Sequence, residues 1–439
     1  MMKRLLLFGA LLILSAPLIV SCMESTNQLY SDSDILTHNK LLTKSLLSLS
    51  SDVVVERDVE DYLFYRLAET RESVKSIDRY DIAKDVYVFV VNLNRGGWYL
   101  FSGDFSVGPI LAQGDEGELC LDKQLSSHGR NWLSSLAEYI TQKRTEATDS
   151  GKCGWRISFR GEENPFIPDT SSVSIEYVID TLVYDYYPGL TITRWDQYPP
   201  FNNAMPKQHT TTEPCIAGCT VIAIGQLLYY THFAFGFPND TYTSASCSSY
   251  FDDNLPYSFC FFGPTTTGWS NMTLDGWGLG YYDTYAPALC ALIAQSSGTV
   301  YTGDILGPNN EVESYGTTSK SAIPNTLSSF FLTGVSEQPF DLNTICYEIQ
   351  NDRPVLCTGG FSPTEGHAYL IDGYYYLQLR VVEIIKDELG NVVNTITTFP
   401  TEFKWHINTG DNYPSHVFWA TYGSYCPYSP SIFIGWSQD

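Results

Sequence analysis

Hydrophobic and polar positions recur along this chain with two different periods, and the changes between them mark its parts. Over residues 58–70, Val59, Leu63, Arg66 and Leu67 stand at helical spacing, which predicts an amphipathic helix. Residues 86–91 are a β-branched and aromatic run. The turn Asn92-Leu93-Asn94-Arg95-Gly96-Gly97 and a second run, Trp98-Tyr99-Leu100-Phe101, follow it, as in a β-hairpin. The apolar stretch Pro109-Ile110-Leu111-Ala112 and a helical pattern over about 131–144 complete an α+β unit spanning residues 51–145. Residues 146–190 hold no sustained period, and Asp149-Ser150-Gly151-Lys152 and Glu162-Glu163-Asn164-Pro165 read as exposed linker. Beyond Arg194 the chain turns rich in Tyr, Ser, Thr and Asn. Helices are expected at 219–230 and near 286–295, with several strands after Pro354.

The first 22 residues read as a targeting segment. Lys3 and Arg4 form a basic start, and residues 5–20 form an apolar stretch too short and too terminal for a good membrane span. It closes on Ile19-Val20-Ser21-Cys22, which is similar to a bacterial lipobox. In that reading Cys22 is acylated and becomes the mature N-terminus. The alternative is an ordinary signal peptide cut at a nearby small residue. Residues 23–50 are polar and read as a tether. The expectation is an exported protein held to a membrane through its N-terminal lipid, as an outer-membrane or cell-surface lipoprotein, or released from it on maturation.

Composition then narrows the chemistry. The chain has 49 acidic against 25 Lys and Arg residues, a formal net charge of −24 and no dense basic stripe. Nucleic acid is therefore not an expected partner, because nothing would release counterions from phosphates. Neither an HExxH motif nor paired CxxC motifs occur, which argues against a metalloenzyme. No cofactor is implied. Of eleven cysteines, ten lie beyond Cys22 in a compartment where disulfides persist, but their spacing is irregular. Cys247 with Cys260 is the pair to test; the connectivity is otherwise open.

One cysteine stands apart. In Ala217-Gly218-Cys219-Thr220-Val221-Ile222, a small-residue turn precedes Cys219 and an apolar helix follows. A thiol at a helix N-terminus feels the positive end of the macrodipole, so a lowered pKa is expected. Cys215 competes for the role, but Glu213-Pro214 before it offers no helix start. His367, in Glu365-Gly366-His367-Ala368-Tyr369-Leu370-Ile371-Asp372-Gly373, opens an apolar strand 148 residues further on, a spacing compatible with papain-like order. It would act as general base. Asn408 follows in Trp405-His406-Ile407-Asn408, where its carbonyl could accept from the His ring. Gln197, 22 residues before the cysteine, could donate its amide to an oxyanion together with the Cys219 backbone N–H.

With these residues in the order Gln, Cys, His, Asn, the chain resembles the streptopain-like cysteine peptidases, a branch of the papain-like fold. The family's W-x-Q-x-x-P-[YF]-N stretch is similar to residues 195–202, its G-C-V-A-T-A-x-A-Q helix to 218–226, and its Y-G-x-x-S segment to 315–319. Its G-H-A-[FY]-x-[IL]-D-G-[YA] strand is similar to 366–374, and its inhibitory propeptide to 87–111. The resemblance implies an α+β fold, with a papain-like catalytic domain over 191–439 preceded by a smaller α+β propeptide domain. It implies Cys219 as nucleophile, His367 as base, Gln197 as oxyanion donor and Asn408 as the partner near the His. Processing is expected within 146–190. Where the family reads H-V-N-W-G-W-G, this chain reads His406-Ile407-Asn408-Thr409-Gly410-Asp411, without either tryptophan; Trp405 or Trp419 could substitute. Gly225 inside the Cys219 helix is a second departure.

The expected function is a cysteine endopeptidase made as a zymogen, acting on protein or peptide substrates and inhibited intramolecularly by its own propeptide. A catalytically impaired relative, serving as a surface binding or protease-inhibitor protein, is the alternative. Acyl transfer on the same residues is a third.

Overall fold

The computed structural model describes residues 54–67, 73–121, 127–146, 155, 174–208, 213–236, 245–248, 258–261, 269–275, 285–301, 305–306, 312–313, 316–330, 332–361, 366–387, 389–411 and 416–438. Cys22, the tether and both stretches of expected linker fall outside them. Among the described residues one sheet of twelve strands runs through the molecule.

The N-terminal unit forms as its pattern dictates. Helix α1 (Glu56–Leu67) buries Val59, Tyr62 and Leu63, one face at i, i+3, i+4 spacing, against Phe89, Phe101 and Trp155. Strands β1 (Val74–Ala83), β2 (Val86–Leu93), β3 (Trp98–Ser102) and β4 (Ile110–Gly114) form an antiparallel meander, and β2 is buried along its whole length. Helix α2 (Ser127–Glu146) packs Trp132, Leu136 and Ile140 into the core on the sheet's other face. The 14-residue strand β5 (Ser174–Tyr187) then pairs along a flank of the later sheet. The pattern gave no strand for β1 or β5, because both alternate largely exposed side chains and β5 gains its order from the strand beside it.

The C-terminal part supplies the remaining strands: β6 (Ser336–Pro339), β7 (Val355–Gly360), β8 (Gly366–Lys386), β9 (Val392–Thr398), β10 (Thr401–Asn408), β11 (Val417–Thr421) and β12 (Tyr428–Ile434). The order is β1-β2-β3-β4-β11-β10-β8-β7-β12-β6, with β5 and β9 also paired to the long β8. Period-two alternation sorts β7, β8 and β12 between two layers. Leu356, Ala368, Leu370 and Phe433 pack toward helices α3 (Cys219–Phe235) and α4 (Tyr285–Ser296), whereas Val355, Cys357, Tyr369, Ile371 and Ile432 join the core beneath α2. The sheet is thus covered on both faces around the site.

The two units share one sheet and one core. Strand β4 pairs with β11 through Trp419↔Gln113 and Ala420↔Ala112, and the Thr421 hydroxyl donates to the Ile110 carbonyl at 2.9 Å. Arg194 grips Glu116 with two hydrogen bonds of 2.5 and 2.9 Å. Trp132 of α2 lies 5.8 Å from Phe418 of β11. Trp155 is fully buried among N-terminal residues, so that unit's core extends past residue 145. Cys247 stands opposite Phe259 and Cys260 opposite Ser246, so the backbone register does not set that cysteine pair face to face.

Candidate active site

Cys219 opens α3, a helix whose residues 220–229 are almost wholly buried, so the thiol is carried on a rigid element. The turn before it requires glycine. Gly218 has φ +96°, and a Cβ there would lie 2.6 Å from the Gly316 carbonyl oxygen. The Ala217 N–H donates to the Gln197 carbonyl at 3.0 Å, and the Gln226 side chain accepts from the Trp195 N–H at 3.2 Å. Two hydrogen bonds therefore hold the Gln197 segment beside the helix start, with Gln197 itself 2% exposed. Gly225 is no defect in the helix: a Cβ there would come within 2.9 Å of the Trp195 ring. Cys215 is buried among the segment's backbone contacts, in keeping with a structural part.

On β8, the Ala368 N–H donates to the Cys219 sulfur at 3.4 Å, which sets His367 next to the thiol's neighbour in sequence. The His367 ring is 2% exposed, and its Nε2 lies 2.9 Å from the Thr409 carbonyl oxygen. A carbonyl only accepts, so Nε2 carries the proton and Nδ1 is the basic nitrogen of the neutral ring. Asn408 is fully buried, but its carboxamide is spent elsewhere: Nδ2 donates to the Thr193 carbonyl at 2.7 Å and the Thr191 hydroxyl at 3.1 Å, and Oδ1 accepts from the Gly410 N–H at 3.4 Å. This corrects the sequence expectation. The neighbour's main-chain oxygen, not the Asn408 side chain, meets the imidazole.

Neither substitute tryptophan walls the histidine. Trp405 packs with Phe403 and Phe340, and Trp419 packs on His406 at 4.9 Å. Phe361 and Tyr369 stack beside the His367 ring instead, at 5.6 and 6.1 Å, while Tyr425 meets it edge-on at 6.2 Å. These aromatics come from a strand end, the strand itself and a distant loop, so no contiguous motif announces them.

The electrostatics also differ from expectation. Burial pushes the Cys219 thiol above its ordinary value, outweighing the Ala368 and Thr220 hydrogen bonds that pull it down. The Asp411 carboxylate, 1% exposed, opposes ionisation further. Placement at the helix start is thus not enough to lower the thiol pKa. Asp411 also faces Asp196, 7% exposed, whose carboxyl is pushed up to about 7 by burial, with the Tyr198 N–H opposing and Asp411 adding to the rise. Sequence reasoning missed this acidic pair, although Asp411 occupies one of the two missing tryptophan positions. Among the described residues, no cluster of His, Cys, Asp and Glu could hold a metal ion.

The Peptidase C10 family model matches residues 195–410, a span that contains Gln197, Cys219, His367 and Asn408. Residues 195–410 belong to the Peptidase C10 family. The chain is accordingly a cysteine-type peptidase. A fragment of Prevotella intermedia prointerpain A shares its fold, with a TM-score of 0.53 and 16% identity over 84% of this chain and 100% of that one. The active wild-type interpain A cysteine protease of Prevotella intermedia also matches, at a TM-score of 0.37 and 19% identity over 56% of this chain and 94% of that one. No curated protein matches. The Peptidase C10 region begins at Trp195, on the segment tied to the Cys219 turn, and ends at Gly410, directly after the carbonyl that holds His367.

Proposed function

We propose that the protein is an exported, lipid-anchored cysteine endopeptidase made as a zymogen, cleaving protein substrates through Cys219 and His367. The observation that carries this reading is the Cys219 sulfur at the start of α3, within hydrogen-bond reach of the residue after a histidine whose Nε2 is fixed on a carbonyl. In this reading His367 Nδ1 takes the thiol proton. The thiolate attacks the scissile carbonyl, and the Gln197 amide and Cys219 N–H stabilise the resulting oxyanion. Collapse of the tetrahedral intermediate expels the amine with the proton from His367, and water then hydrolyses the thioester. Pairing of the raised thiol with an imidazolium supplies what the helix terminus alone does not.

Trp155 is buried in the N-terminal core and β5 is paired from Ser174 onward, which supports an activating cut between the two, inside the expected 146–190 stretch. Acylation at Cys22 is part of the same reading, on its lipobox-like setting. The test is Cys219→Ala in a host without other proteases, followed by N-terminal sequencing. Loss of peptide hydrolysis together with accumulation of the uncut chain supports the reading; undiminished hydrolysis removes it.

A second reading, a catalytically impaired relative that binds rather than cleaves, draws on Asp411 opposing the Cys219 thiolate. It is favoured if the processed chain hydrolyses no peptide while remaining folded.

A further inference from the structure

Strand β8 carries a buried carboxylate five residues after His367. Asp372 is fully buried and falls in a β-bulge: Ile371 pairs with Ile407 and Gly373 with His406, leaving Asp372 opposite no residue of β10. A bulge re-aims its residue, and here it turns both backbone and side chain toward the segment that enters the catalytic region. The Asp372 carbonyl accepts from the Leu190 N–H at 3.0 Å. Its carboxylate Oδ2 accepts from the Thr191 N–H at 2.8 Å and the Thr191 hydroxyl at 2.5 Å, and Oδ1 meets His406 Nδ1 at 2.5 Å. The His406 ring is packed closely enough that a Cβ at Gly189 would lie 2.3 Å from it.

The same Thr191 hydroxyl that donates to Asp372 accepts from Asn408 Nδ2, whose other contact is the Thr193 carbonyl. Asn408 precedes Thr409, and the Thr409 carbonyl is the group that holds His367 Nε2. A chain of hydrogen bonds, part-buried at His406 and buried beyond it, therefore runs through Asp372 and Thr191 to Asn408, whose own backbone leads to the carbonyl that orients the histidine. Every donor in it has a stated acceptor, the condition under which a buried polar network fixes geometry.

We propose that Asp372 and Thr191 are positioning residues for His367, acting through Asn408 and the Thr409 carbonyl. The proposal rests on the reading of His367 as general base. It makes the 189–194 segment a working part of the site, so maturation must leave Thr191 attached to the catalytic unit. Thr191→Val keeps the shape but removes the hydroxyl that joins Asp372 to Asn408. A displaced general base costs rate rather than substrate binding, so kcat is expected to fall roughly 10- to 100-fold.

The experiment measures kcat and KM of the processed enzyme for Thr191→Val, Thr191→Ser, Asp372→Asn and His367→Ala on one peptide substrate. Expected is a lowered kcat with nearly unchanged KM in Thr191→Val, and recovery in Thr191→Ser, which restores the hydroxyl. Should Thr191→Val not accumulate folded, Asp372→Asn, equal in shape and volume, carries the same test. A folded Thr191→Val or Asp372→Asn with kcat within about twofold of the parent overturns the proposal, as does a loss that Thr191→Ser fails to restore. Full activity in His367→Ala would instead overturn the underlying reading of the base, so the two failures are separable.

Discussion

The Nε2 of His367 lies 2.9 Å from the main-chain oxygen of Thr409, so the ring is oriented by a peptide group one residue past Asn408. That geometry changes what the site residues are expected to do when altered.

Asn408→Ala removes the donor to Thr193 and Thr191, leaving a buried carbonyl unsatisfied, at a cost of about 1–3 kcal/mol. Urea denaturation should register that loss alongside any fall in activity. A side chain acting only on the imidazole would lower activity with stability unchanged, and that result would contradict the arrangement seen here.

Gly225→Ala separates helix propensity from packing. Propensity alone favours alanine by roughly 1 kcal/mol in a helix interior. The Trp195 ring, 2.9 Å from where the new Cβ would stand, makes the substitution an overpacking one. We expect it to destabilise by about 1–3 kcal/mol in thermal or chemical unfolding; a gain in stability would show that Trp195 yields easily.

Asp196 gives stability a pH dependence of definite sign. Burial, with the charge of Asp411 adding to it, raises its carboxyl to about 7 in the folded chain, whereas an unfolded aspartate titrates near 4. Between those values the folded state binds more protons than the unfolded state, so this group's contribution to stability falls as pH rises from about 4 to about 7. Asn at this position keeps an acceptor for the Tyr198 N–H and removes the titration. Relative to the parent, Asp196→Asn should gain stability at pH 8 over pH 5, by at most about 3 kcal/mol. Parallel stability profiles for the two proteins would refute the assignment.

The aromatic wall of His367 is testable by contrast. Phe361→Ala opens a cavity beside the imidazole and is expected to cost about 3–5 kcal/mol in unfolding experiments, with a drop in kcat/KM. Trp405→Phe, in a cluster around Phe403, should keep kcat/KM within about twofold of the parent, because its ring does not face His367. The reverse pattern would assign the shielding to Trp405.

What was legible in the sequence follows physical lines. The hairpin at Trp98 and the helix behind Cys219 were readable because each is a continuous apolar run bounded by a glycine turn, buried on all sides. Strand β5 was not, since its exposed alternation acquires order only by pairing with β8. The positions of Cys219 at a helix start and His367 on a strand were readable from the turn and the apolar run around them. The contacts of Asn408 were not, because a backbone oxygen at Thr409 has no side-chain signature. Phe361, Tyr425 and Asp411 reach the site from separate loops, so only the folded chain brings them together. For Asp372 a signal existed: an acidic residue and a glycine interrupting an apolar strand, the mark of a bulge.

The central claim is that Cys219 is the nucleophile activated by His367. Its most direct test is labelling of the processed protein with a thiol-directed epoxide, with the modified peptide located by mass spectrometry. Single labelling at Cys219, abolished in His367→Ala while Cys215 stays unmodified, is the expected result. Labelling at another cysteine, or equal labelling of Cys219 without the histidine, would contradict it.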